Sequence, residues 1–170
     1  MSTDLQLRRK LTFRLGDRKL VLQKRSIEGI EHVLMKAFLW ALYLPEYENI
    51  IVEYNIGDRY KPDLVSLDET GKPRFWGEAG KVNKGKIESL VRRYPQTHIA
   101  IAKWSTRLTP YVEIVEKIVA KHKRTVPFDL LNFPADSAER FIGKSGEINI
   151  AREDLEVVRI LNSRGLDNLR

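Results

Sequence analysis

The run THIAIAKW, residues 97–104, constrains this chain more than any other stretch. Ile99, Ala100, Ile101 and Ala102 are consecutive apolar residues, so a strand made of them is apolar on both faces. That is the signature of a central strand with parallel neighbours. Parallel neighbours require long crossovers, usually helical, and helical periodicity lies on both sides of this run. Asn83 is placed to cap a helix from Lys84 to Tyr94, with Ile87, Leu90 and Val91 inward and Pro95 ending it. Thr109-Pro110 opens a second helix, residues 110–123, with Val112, Val115, Ile118 and Val119 inward. VPFDLLNF then supplies the last core strand.

Upstream, residues 7–25 form two β-prone runs joined at Gly16-Asp17, a hairpin. Ser26 is placed to cap a helix over 27–44, whose apolar positions are Ile27, Ile30, Val33, Leu34, Phe38, Ala41 and Leu42. Glu28 and Glu31 complement its positive end and Pro45 stops it. Its later half is apolar all round, as a buried core helix is. Three strand candidates follow, NIIVEYNI, KPDLVSLD and PRFWGEAG, the last two joined by the hairpin-type break DETGKP. From Ala135 the chain is more polar. DSAERFIG reads as a short helix, EINIAREDLEVVRIL as a strand, a turn and a second strand or helix, and 162–170 as a frayed tail. The order ββαβββαβαβ gives one α/β domain over 1–170: a mixed central sheet flanked by helices, with extra N- and C-terminal β elements.

With 170 residues, 42% hydrophobic and 31% charged, the chain can bury a core of its own. It has no cysteine, which excludes disulfides and thiolate metal sites, and its three histidines are too dispersed to suggest a zinc centre. No apolar run approaches the roughly 20 residues of a membrane span, and MSTDLQLRRK lacks the apolar segment of a signal peptide, so a cytoplasmic location is expected. A net charge of +7 favours polyanions, nucleic acid above all. Lys84, Arg92 and Arg93 are candidate phosphate contacts, as are Arg8-Arg9-Lys10 and Lys24-Arg25. Trp40, Trp76 and Trp104 fall in core-like patterns, and His32 and His98 read as packing or surface residues.

The chemistry concentrates in YKPDLVSLDETGKPRFWGEAGKV, residues 60–82. Asp63 precedes one strand candidate and Glu78 ends the next. If the hairpin register aligns them, both carboxylates share a face. Two carboxylates, water and phosphate are what Mg²⁺ ordinarily takes. A salt bridge from Glu78 to Lys81 or Lys86 is the alternative account of an acid in so apolar a stretch.

The order helix-Glu, Pro-Asp, hairpin, Glu, helix resembles the PD-(D/E)XK nucleases. Pro62-Asp63 matches the first half of their motif, Glu78 the second acid, and Glu31 the glutamate of the first core helix. Gly80 stands where the lysine is expected. More specifically, SIEGIEHVLMKAFLWALYL, KPDLVSLDETGKPRFWGEAG and NKGKIESLVRRY resemble the YaeQ family, a bacterial branch of that superfamily, over roughly residues 7–160. That resemblance implies a restriction-endonuclease-like core and Mg²⁺ (or Mn²⁺) at Asp63 and Glu78, with Glu31 as accessory ligand. It also implies phosphodiester hydrolysis in DNA or RNA, with Lys86, or Lys81, replacing the lysine absent at 80. A nucleic-acid-binding or protein-interaction module without catalysis is the alternative that the same fold admits.

Overall fold

A computed structural model describes residues 1–161. The tail, 162–170, lies outside the described residues. A short helix that the sequence reading did not contain, α1 (Thr3–Leu7), precedes the expected hairpin of β1 (Lys10–Leu15) and β2 (Arg18–Gln23). The core helix α2 (Ile30–Tyr43) follows, then β3 (Ile51–Val52), β4 (Leu64–Leu67), β5 (Pro73–Ala79) and α3 (Lys84–Arg93). The chain continues through β6 (His98–Trp104), α4 (Thr109–Val119), β7 (Phe128–Phe133) and α5 (Ser137–Phe141) to β8 (Glu156–Ile160). One six-stranded sheet runs in the order β3-β4-β5-β6-β7-β8, and β1-β2 forms a separate two-stranded sheet.

β6 is central and parallel to both β5 and β7, as its two apolar faces require. The other pairings are antiparallel. Alternation along the strands divides the core in two. Leu64, Phe75, Ala100, Ala102, Leu131 and Phe133 belong with α2 and the β1-β2 hairpin. Trp76, Ile99, Ile101, Phe128 and Leu130 belong with α3 and α4. Every residue of α2 from Val33 to Tyr43 is buried, so the helix is held by packing rather than propensity.

Three expectations need correction. Helix α2 begins at Ile30 with Gly29 as N-cap, not at Ile27 behind Ser26. Residues 25–28 are held as a turn, with Glu28 N–H donating to Arg25 C=O and Arg25 N–H to the Glu28 carboxylate. NIIVEYNI yields only two strand residues, because Glu53 takes a left-handed backbone (φ 58°) and its side chain turns inward to Lys36. The second element expected in EINIAREDLEVVRIL is a strand, β8, which joins the sheet as an antiparallel edge beyond VPFDLLNF. Helix α4 also ends sooner, at Val119, where Arg124 is drawn inside to donate to the carbonyls of Tyr94 and Thr97.

Candidate functional site

Asp63 and Glu78 meet through hairpin register. Leu64 pairs with Gly77, Val65 with Trp76 and Ser66 with Phe75, and the same register continued by one residue sets Asp63 opposite Glu78. Asp63 Oδ2 accepts the Ala79 N–H at 2.8 Å, which ties the start of β4 to the end of β5. Glu78 is buried, and its Oε1 accepts the indole N–H of Trp76 at 2.7 Å. Lys86 reaches back from the first turn of α3, its Nζ 2.7 Å from the same oxygen. Helix α3 starts where that reach is possible because Asn83 caps it, accepting the Lys86 N–H at 2.8 Å. Burial, and after it the nearby Asp63 charge, push the Glu78 carboxyl above its ordinary pKa, against Lys86 and Trp76.

On the other side of Asp63 stands His32. Its Nε2 lies 3.5 Å from Asp63 Oδ2, and its Nδ1 lies 2.5 Å from Glu28 Oε1. Lys36, 1% exposed, holds Glu28 at 2.5 Å and Glu53 at 2.6 Å. Burial raises the Glu28 pKa, but hydrogen bonds from Lys36, His32 and the Arg25 N–H outweigh it and leave the value at about 2. The hydrogen bond to Asp63 raises the His32 pKa, burial opposes, and Glu28 adds to the rise. His32 and Asp63 line a cavity of about 370 Å³ with Arg25, Glu28, Glu53 and Lys61.

The remaining sequence candidates sit as follows. Glu31 bends back over the start of its own helix, Oε2 lying 3.2 Å from where Gly29 would carry a Cβ. Lys81 is exposed on the turn between β5 and α3, and Lys84 is exposed with Nζ 4.0 Å from Glu88. Arg92 is exposed. Arg93 is committed to Asp58, with both guanidinium nitrogens on its carboxylate. Gly80 has φ +85°, and a Cβ there would point at His32 and Met35, 3.6 and 3.8 Å away.

A divalent cation can be tested against these donors. Among the described residues, every side-chain hydrogen bond and ion pair of Glu78 falls on Oε1, and every one of Asp63 on Oδ2. One oxygen of each carboxylate is thus left to bind, which fits a Mg²⁺-type ion completed by water and phosphate. Among the described residues, no three or more His, Asp and Glu side chains form a group that could hold a metal ion. The seat is a pair.

Neither a family model nor a curated protein matches this sequence. Solved structures do. The YaeQ protein of Xanthomonas axonopodis pv. citri superposes with a TM-score of 0.59 at 14% identity, over 89% of each chain. This chain has the YaeQ fold. The YaeQ protein of Pseudomonas syringae matches equally, with a TM-score of 0.59 and 14% identity over 87% of each chain.

On this YaeQ fold the structure adds residues that sequence reasoning missed. His32 read as a packing or surface residue, yet it faces Asp63. Lys36 carried a usable signal, a lone charge within the apolar run VLMKAFLWAL, which demands a buried counter-charge. Lys103 carries the same signal in IAIAKW. It is buried on β6, donates to the Gly80 carbonyl at 2.6 Å, and lies 4.1 Å from the Tyr111 ring centroid. Burial alone pulls its pKa down. Gly80 N–H in turn donates to Ala102 C=O, so β6 grips the turn after Glu78 from both sides.

Proposed function

We propose that the chain is a metal-dependent nuclease-type phosphodiesterase acting on nucleic acid in the cytoplasm, with Mg²⁺ or Mn²⁺ held by Asp63 and Glu78. The observation that supports it is the pairing of these two acids across one hairpin, each with one side-chain oxygen free and the other facing two nitrogen donors. The cation, when bound, supplies Lewis acidity at phosphorus and a more acidic water. Lys86 stands ready to meet negative charge developing on the phosphate once Glu78 is engaged elsewhere. His32, oriented by Glu28, steadies Asp63 and turns Nε2 toward the cavity. Lys81, exposed on the turn that follows Glu78, adds positive charge that attracts a polyanion.

A second reading, a nucleic-acid-binding module without turnover, is favoured by one observation: Lys86 already sits on Glu78 at 2.7 Å, an ion pair that accounts for the buried acid by itself. Incubation of plasmid and single-stranded substrates with Mg²⁺ or Mn²⁺ separates the two. Cleavage by the wild type that falls to background in Asp63→Ala and Glu78→Ala is the expected result. Equal cleavage by wild type and variants would mean a contaminant and sink the enzymatic reading, and binding without cleavage would establish the second.

A further inference from the structure

We infer that the groove on the outer face of α3 is a phosphate subsite, built from Arg59, Ser89 and Arg92, that holds the nucleic-acid backbone beside the carboxylate pair. The inference rests on the nucleic-acid reading above and assigns the place where the backbone is gripped. The groove encloses about 300 Å³ and is lined by Arg59, Gly85, Glu88, Ser89, Arg92 and His122. Gly85, Ser89 and Arg92 recur at helical spacing, so they form one stripe of α3, and Gly85 leaves the stripe open at its start.

Three donors converge there. Arg92 is exposed and makes no ion pair or hydrogen bond among the described residues. Ser89 is 6% exposed; its oxygen accepts Arg93 Nε at 3.0 Å, while its hydroxyl hydrogen has no acceptor among the described residues. Arg59 comes from the loop before β4 and is held in place by its neighbours. Asp58 anchors that loop to α3 through Arg93 and Tyr94, and Arg59 donates to the Tyr60 hydroxyl at 2.6 Å. Among the described residues Glu88 is the one acid that lines the groove, and it stands 4.0 Å from Lys84.

The groove is continuous with the acids through Tyr60. Arg59 lies 4.6 Å from the centre of the Tyr60 ring and Lys86, the partner of Glu78, lies 5.3 Å from it. Lys86 and Arg92 stand about 9 Å apart along the axis of α3, with Arg59 joined to Lys86 through the Tyr60 ring. Positive charge is thus spread over more than the width of one phosphate, which suits a polyanion better than an isolated anion. Arg93, which the sequence offered beside Arg92, is spent on Asp58 and positions the loop instead.

Anisotropy of a labelled single-stranded oligonucleotide, titrated with chelator present across a salt series, tests this. Arg59→Ala/Arg92→Ala should lower the slope of log affinity against log salt by about 1.4, two contacts at about 0.7 each. Arg14→Ala/Lys19→Ala, which removes the same charge from the exposed β1-β2 hairpin, should leave the slope unchanged. Competition by inorganic phosphate at low millimolar concentration with equal strength would show an anion site rather than a backbone site and overturn the inference. Equal slopes in wild type and the α3 variant would overturn it too, with nucleic-acid binding intact. Absence of binding by the wild type would overturn both this inference and the reading beneath it.

Discussion

At the scale of single residues, Gly80 decides what the missing lysine means. Its φ of +85° is a region that side-chain-bearing residues enter at a cost of about 1–2 kcal/mol. The space beside it is ordinary, with His32 and Met35 at 3.6 and 3.8 Å, so the cost of substitution is conformational rather than a clash. A lysine placed there would also leave the backbone toward α2, not toward Glu78. Gly80→Lys is therefore expected to lower stability by about 1–2 kcal/mol in urea unfolding and to leave any metal-dependent cleavage no faster than wild type. Faster cleavage would show that the turn can re-form with the ammonium at the acids. Lys86 holds the position that matters because α3 starts four residues after Gly80, close enough for a long side chain to return.

At the scale of elements, α2 couples the core to the site through charge. Lys36 is embedded in a helix that is otherwise apolar at its level, and it holds Glu28 before the helix and Glu53 after β3. Breaking such a buried pair leaves an uncompensated charge, which costs about 3–5 kcal/mol. Lys36→Met should lose about that much, and adding Glu28→Gln and Glu53→Gln should return most of it, as read by denaturation midpoints. A small loss in the single variant would show that water reaches the cluster. These connections also mark where sequence reading stops. The central strand β6 and the capped helix α3 were legible because their signals are local: apolar periodicity, an Asn at the cap, a Pro at the end. The hairpin itself was legible, but its register was not, since turn chemistry fixes it. The inward turn of Glu53 and the approach of His32 to Asp63 were not legible, because each depends on partners brought together only by folding. The start of α2 was misplaced for a related reason. Ser26 is a good cap in isolation, but the pull of Lys36 and His32 on Glu28 holds residues 25–28 in a turn.

At the scale of the whole molecule, Asp129 fastens four elements at the end of the sheet away from the carboxylates. It is fully buried and accepts from Tyr43 of α2, His98 of β6, Arg159 of β8 and Arg152 of the turn before β8. Burial raises its pKa, but the hydrogen bonds from His98, Arg159 and Tyr43 prevail and hold it well below the usual 3.8. A carboxyl depressed in the folded state stabilises fully above its unfolded pKa and loses that contribution as pH falls through the folded one. Acidification below about pH 3.8 should therefore loosen the clasp, and the amides of β8 should lose exchange protection before those of β6. Simultaneous loss across both strands would place the acid-sensitive group elsewhere. The opposite edge of the sheet has its own consequence. The β4-β5 hairpin changes register between Ser66 and Leu67, so its tip is already one residue out of step with its base. Length changes in the turn between Leu67 and Pro73 can end at that bulge without passing to Asp63 and Glu78. In an evolving lineage, this surface turn is free to grow, shrink or acquire a partner while the geometry of the two acids is inherited intact.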